Sequence, residues 1–147
     1  MENQTFLIQR IDPHAILPTR GHVTDAGIDL YALEDVPVGV GVVKVRTGIA
    51  VALPEGIGAW IQGRSGLTSQ GIIVHQGLID PDYRGELLVM VSQHPEANYR
   101  PPDPLIKAGT RFAQLVPFIV PALRGVVVDE LPTTERGFGG FGSTGAQ

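Results

Sequence analysis

Val42-Val43-Lys44-Val45-Arg46-Thr47-Gly48-Ile49-Ala50-Val51-Ala52-Leu53-Pro54-Glu55-Gly56-Ile57-Gly58-Ala59-Trp60-Ile61 decides the fold class. Three short runs rich in β-branched residues, at 42–45, 48–53 and 57–61, are set apart by Gly and Pro. That is the pattern of short strands joined by tight turns. It returns at 87–91, 113–120 and 125–128. Pro117 and Pro121 exclude a long helix across the fifth run, because a helix interior tolerates neither the missing N–H nor the ring. No ten-residue segment carries a helical period. The one helical candidate starts near Ser65, with Ser65 as N-cap and Gly71 as stop. Strands at this spacing predict an all-β sandwich or barrel.

The composition agrees. The chain has 147 residues, enough for one domain with a real core. Hydrophobic residues are 43% and charged residues 18%, a globular balance, and 19 Gly with 12 Pro favour turns over helices. The absence of cysteine excludes disulfides, thiolate metal sites and a Cys nucleophile. His14, His22, His75 and His94 have no zinc-type spacing. A formal net charge of −4 argues against general nucleic-acid binding but leaves room for a small polyanion held by a few arginines and a metal ion. Met1 to Arg10 has neither the basic nor the apolar region of a secretory signal, and no apolar run is long enough to span a membrane. A cytoplasmic location is the expectation. The proline-bearing stretch 92–104 reads as a long surface loop, and the Gly-rich 133–147 as a flexible arm beyond a β domain at 1–132.

Four constellations carry chemistry. Ala26-Gly27-Ile28-Asp29-Leu30-Tyr31-Ala32 alternates like a strand and bears one carboxylate; on its own that is an ordinary solvated Asp. Gly63-Arg64-Ser65-Gly66 opens the short helix, where unpaired N–H groups, a guanidinium and a hydroxyl suit phosphate; a capped helix with a surface Arg fits equally. In Gly77-Leu78-Ile79-Asp80-Pro81-Asp82-Tyr83-Arg84-Gly85-Glu86, Asp80-Pro81 suits the first two positions of a type I turn and predicts a hairpin. An Asp at its mouth either merely begins the turn or holds a water as general base. Arg136 to Gly145 contains G-x-G-x-x-G (Gly137, Gly139, Gly142), but too few residues follow for the helix of a dinucleotide site. A frayed tail and a flap over a nucleotide both remain open there.

Together these residues resemble the trimeric dUTP pyrophosphatase (dUTPase) family. The resemblance covers Ala26 to Gly145 and rests on five motifs in order: AGIDLYA, GRSG, GLIDPDYRGE, RFAQL (Arg111 to Leu115) and RGFGGFGSTG. It implies an all-β, dUTPase-like β-barrel or jelly-roll of short strands with one short helix and a flexible Gly-rich C-terminal arm. It implies hydrolysis of dUTP to dUMP and pyrophosphate, which limits uracil incorporation into DNA and supplies dUMP for thymidylate synthesis. Asp80 is then the general base. Gly77 and Ile79 belong to the segment whose main chain receives uracil, and Tyr83 lies on the deoxyribose. Arg64, Ser65, Gly66 and Gln114 hold phosphates. Asp29 helps to hold Mg²⁺ through water. Arg136 reaches the γ-phosphate, Phe141 stacks on uracil, and Gly142, Ser143 and Thr144 close the phosphate end. The implied assembly is a homotrimer with shared active sites, with no nucleic-acid or membrane partner.

The sequence departs from the family's usual pattern at four places. Val74, His75 and Gln76 stand where an Asn is common before the third motif. The Arg64 to Asp80 spacing is short. Thr110 replaces an Asp before Arg111, and the 92–104 loop is long. The alternatives are the dCTP deaminase branch of the same superfamily, against which Gly66 and Tyr83 speak, and a non-enzymatic module on this scaffold, against which Asp80 and the fifth motif speak.

Overall fold

The computed structural model describes residues 4–95 and 105–139. Its strands are β1 (Leu7–Arg10), β2 (Ile28–Tyr31), β3 (Val36–Pro37), β4 (Val43–Ala52), β5 (Ile57–Gly63), β6 (Ile72–Val74), β7 (Gly77–Ile79), β8 (Glu86–Gln93), β9 (Leu105–Ile106) and β10 (Arg111–Ile119), with one short helix, α1 (Ser65–Thr68). Two four-stranded antiparallel sheets, ordered β1-β4-β8-β6 and β2-β10-β5-β7, form a jelly-roll-like sandwich, and β3 and β9 pair beside them. The all-β expectation holds.

The core follows from period-two alternation. Leu87, Val89 and Val91 of β8 point inward and are fully buried, while Leu88 and Met90 point out. From the facing sheet come Leu30, Ala59, Ile61, Phe112 and Leu115. Each fully buried side chain of this size contributes about 1.5–3 kcal/mol over an exposed one. Pro117 sits in β10 opposite Ala59, beyond the last residue that β10 pairs with β2, so its missing N–H faces an unpaired edge.

Two bulges interrupt the register, and they do different work. In β4, Arg46 pairs with Leu88 and Ala50 with Glu86, so the strand must absorb extra length in between. It does so at Gly48, whose φ of 66° favours glycine. The Glu86 carboxylate accepts from Gly48 N (2.8 Å) and from Arg46 Nε (3.1 Å), and Thr47 Oγ1 donates to Leu87 O (2.8 Å). Those bonds from Glu86 also raise the Arg46 pKa further. The two expected runs 42–45 and 48–53 are therefore one strand, with the bulge as the apparent gap. In β10, Arg111 pairs with Tyr31 and Ala113 with Leu30, leaving Phe112 as the extra residue. Phe112 and Ala113 are consecutive and both buried, so Arg111 is turned to the outer face.

Four local expectations are corrected. Arg64, not Ser65, is the N-cap of α1 (φ −100°, ψ 139°), and no side chain caps the helix. Ser65 is its first helical residue. Gly71 does follow the stop, with φ 79° and its N–H on Thr68 O (3.0 Å). The Asp80 turn exists, with Tyr83 N donating to Asp80 O (3.1 Å), but it joins no hairpin: β7 pairs with β5, whereas β8 pairs with β4 and β6. Asp80-Pro81 instead carries the chain from one sheet to the other. Finally, residues 125–128 form no strand; Val126 and Val127 lie in solvent, because no strand of the described chain is beside them. Ser92 and Gln93, expected in the loop, are the buried end of β8, and residues 96–104 of that loop lie outside the described residues.

Candidate active site

The outer face of the β2-β10-β5-β7 sheet carries a polar cluster at one end. Strand alternation puts Asp29 outward between buried Ile28 and Leu30, and Gln114 outward between Ala113 and Leu115. Register sets Gln114 opposite Asp29 on one side and Gln62 on the other. Arg64 leaves the end of β5, and the Phe112 bulge delivers Arg111 to the same place. Arg64 Nε lies 3.1 Å from Asp29 Oδ1 and Arg111 Nη1 3.4 Å from Asp29 Oδ2. Arg64 Nη1 also donates to Arg111 O (3.1 Å). Gln114 Nε2 donates to Gly63 O (3.1 Å), which leaves its amide oxygen pointing toward Gly27. A Cβ on Gly27 would run into that oxygen, so this position has to be glycine while Gln114 stays where it is.

These groups line an open cleft of about 450 Å³, with Ser65 at its edge and His22 and Asp25 on the loop across it. Asp29 is mostly covered (side chain 14% exposed), whereas Arg64 and Arg111 keep 35% and 52% of their side chains in solvent. One carboxylate thus orients two guanidiniums whose remaining donors stay free, an arrangement suited to phosphate oxygens. A four-residue helix has little dipole, so the contribution of α1 is the pair of first-turn amides at Ser65 and Gly66. They precede the first helical bond, made by Leu67 N to Arg64 O (3.0 Å). Gly66 has open space where a side chain would stand.

The residues named from sequence fall into three places. Asp29, Arg64, Ser65, Gly66 and Gln114 converge on the cleft. Gly77, Ile79, Asp80 and Tyr83 lie elsewhere, on β7 and its turn. Ile79 is buried and Asp80 exposed. The ring of Tyr83 is fixed across the turn by its hydroxyl, which donates to Glu86 O (3.0 Å), and there is room for it because residue 85 is Gly. Arg84 Nη1 braces the turn on Pro81 O and Tyr83 O, both at 2.8 Å. Arg136 stands in an exposed turn, with Gly139 N on its carbonyl (3.0 Å). Phe141, Gly142, Ser143 and Thr144 lie outside the described residues. Sequence reasoning gave no role to Arg111, His22 or Asp25. Arg111 stands in the fourth motif, but only the bulge reveals its aim.

The cleft and the Asp80 turn sit at opposite ends of one strand. Ile61 pairs with Gly77 and Ala59 with Ile79, so Asp80 falls beside Gly58 while Arg64 follows Gly63, the last residue of the same strand. Six residues at about 3.4 Å each separate the two by about 20 Å.

An all-β sandwich presenting a cationic, carboxylate-bearing cleft on the outer face of one sheet defines the class of protein. The sequence model of the dUTPase family matches residues 13–145. A deoxyuridine 5′-triphosphate nucleotidohydrolase of Thermobifida fusca is 45% identical over 143 residues, covering 94% of this chain and 77% of that protein. One from Gloeobacter violaceus is 40% identical, covering 99% of each. Among solved structures, a Staphylococcus bacteriophage 80alpha dUTPase variant with dUpNHpp superposes with a TM-score of 0.87 at 27% identity, covering 98% of this chain and 100% of that one. A dUTPase variant from phage phi11 of S. aureus, described as revealing the coordination of a structural Mg(II) ion, has a TM-score of 0.77 at 25% identity over 86% of this chain and 98% of that one. The chain belongs to the dUTPase family.

Proposed function

We propose that this protein is a dUTP diphosphatase, hydrolysing dUTP to dUMP and pyrophosphate. The observation that carries the reading is the Asp29-centred cluster of Arg64, Arg111 and Gln114, in a chain 45% identical to a deoxyuridine 5′-triphosphate nucleotidohydrolase. The cluster offers charged donors to a triphosphate, with Ser65 and Gly66 adding a hydroxyl and two amides. Asp80, exposed at the end of β7, is the general base: it takes a proton from water, whose oxygen attacks the α-phosphorus. The bond from that phosphorus to the bridging oxygen breaks, and pyrophosphate leaves. The free edge of β7 supports base recognition. β7 is last in its sheet, so main-chain N–H and C=O groups of Gly77 to Ile79 remain for the acceptor–donor–acceptor edge of uracil. Tyr83, its hydroxyl committed to Glu86 O, presents a fixed ring to the sugar and crowds a 2′-hydroxyl.

Mg²⁺ is the cofactor in this reading. No group of three or more His, Cys, Asp or Glu able to hold a metal occurs among the described residues. Mg²⁺ commonly takes one or two carboxylates and leaves the rest to water and phosphates, so Asp29, with Asp25 across the cleft, fits that donor set. Bound there, it would neutralise phosphate charge and favour one geometry of the chain. Both Asp29 oxygens already face arginines, which is consistent with contact through water.

The homotrimer with shared sites rests on the separation of about 20 Å along β5, which sets a chain's own Asp80 far from phosphates on its own Arg64. Exposed Leu123, Val126, Val127 and Leu131 supply apolar surface for neighbouring subunits. The arm 133–147 follows that segment, and we assign Arg136, Phe141, Gly142, Ser143 and Thr144 to closing a site over bound nucleotide. No helix among the described residues is long and apolar enough to cross a membrane; action on a nucleotide pool supports a cytoplasmic location in this reading.

The test is pyrophosphate release from dUTP with and without EDTA, beside an assay for ammonia from dCTP. Release that EDTA abolishes, without ammonia, is expected. Ammonia from dCTP, or no release from dUTP, would overturn the reading.

A further inference from the structure

The link between β6 and β7 is two residues long, His75-Gln76, and it crosses from one sheet to the other. β6 is pinned on β8 at both ends: His94 N donates to Gly71 O (2.8 Å) and His75 N to Met90 O (2.9 Å). The crossing has one further tie. His75 Nε2 lies 2.9 Å from Ser92 Oγ, with either atom able to donate. Ser92 is buried, 5% exposed, at the end of β8, while His75 is exposed. The imidazole is therefore turned back onto the β1-β4-β8-β6 sheet, away from direct use as a ligand group. β7, like β6, is a three-residue strand at the edge of its sheet. It pairs with β5 over three residues, and among the described residues no strand pairs with its outer edge. The position of that edge thus depends on the corner that precedes it.

We propose that His75, tied to Ser92, is a positioning residue that sets the free edge of β7 and thereby the choice of base. This rests on the reading of that edge as the base-receiving element. A main-chain edge discriminates bases only if its donors and acceptors stay in place; a small shift lets the edge tolerate a ring with a different pattern. Asp80 lies beyond β7 and is separately held by its own turn, through Tyr83 N on Asp80 O and the Arg84 braces. Loosening the corner should weaken base binding more than the chemical step.

The experiment compares wild type, His75→Ala, Ser92→Ala and the double variant, measuring kcat and KM for dUTP, kcat/KM for dCTP, and melting temperature. Loss of one hydrogen bond's worth of positioning predicts a KM for dUTP raised about tenfold with kcat within about twofold. The preference for dUTP over dCTP should narrow by a similar factor. The double variant should be no worse than His75→Ala alone, because the two residues act through one bond. His75→Asn, which keeps a donor and an acceptor, should recover part of the preference. Unchanged KM and base preference in the folded variants, even with a lower melting temperature, would overturn the proposal, as would effects of the two single variants that simply add. Wild-type protein without dUTP turnover would overturn the parent reading instead.

Discussion

The phosphate-side cleft and the Asp80 turn are made in opposite ways. The cleft is assembled within the chain: three strands and a bulge bring Arg64 and Arg111 onto Asp29, with Gln114 anchored beside them on Gly63 O. Its groups satisfy one another before any ligand arrives. The turn is self-contained but bare. Main-chain bonds and the Tyr83 and Arg84 contacts fix its shape, yet Asp80 projects from it and the β7 edge beside it is unpaired. A site built in advance resists disturbance through its partners. A bare carboxylate can be changed without cost to the fold, so a loss on changing Asp80 would report on the reaction proposed for it. In the proposed reading, charge positioning and proton removal stand on separate elements that neighbouring subunits would join.

The contrast breaks first at Asp80. Asp80→Asn keeps the turn, because Tyr83 bonds the main-chain oxygen of residue 80, and should leave the melting temperature unchanged while kcat falls by a factor on the order of 10²–10⁴. A variant keeping more than about a tenth of wild-type kcat would remove Asp80 as the base. Next comes the joining of the two regions. Arg64→Ala should also be nearly inactive, yet unfolding and refolding it together with Asp80→Asn should recover on the order of a tenth or more of wild-type activity, since some mixed assemblies pair an intact cleft with an intact turn. No recovery in mixtures shown by mass to be mixed would mean that each chain works alone, and that the 20 Å gap closes some other way.

Gly27→Ala probes how tightly the cleft is built. The new methyl group meets the Gln114 amide, which must rotate away from Gly63 O. A fall in kcat/KM of about tenfold is expected, with the loss of a neutral hydrogen bond as its scale; wild-type kinetics would show that the Gln114 amide is not needed where it lies. The smallest effect is expected at Tyr83. Tyr83→Ala opens space beside the sugar and should narrow the kcat/KM preference for dUTP over UTP by several-fold, about 1 kcal/mol, the low end of a steric margin of this kind. An unchanged ratio would assign sugar choice to another residue.

Much of the molecule is legible in the residue order. Gly and Pro mark the turns, β-branched runs mark β4, β5, β8 and β10, and the five motifs contain Asp29, Arg64, Asp80, Gln114 and Arg136. Apart from the N-cap, which shifts by one residue from Ser65 to Arg64, what misled was an absent or distant partner. The 125–128 run has strand composition, but composition supplies no neighbouring strand, and its valines are exposed. The sequence around Asp80-Pro81 carries a correct turn signal, yet a turn signal does not say which sheet each flanking strand joins. The gap between 45 and 48 reads as a turn between two strands, but one glycine at positive φ and a carboxylate thirty-eight residues later make it a bulge within one strand.

The sequence by itself determined the β class, the family, and which residue types stand ready for phosphate and proton transfer. These depend on local backbone preferences and on side-chain chemistry, both carried residue by residue. Only the tertiary structure decided where those groups aim. Arg111 reaches Asp29 because Phe112 is an extra residue in β10, and that exists only relative to the register of β2. The His75–Ser92 tie exists because β6 lies on β8. Asp80 is far from Arg64 because β7 runs antiparallel to β5. Register and sheet partnership are set by contacts between residues distant in sequence, where one residue of slip turns every side chain to the other face.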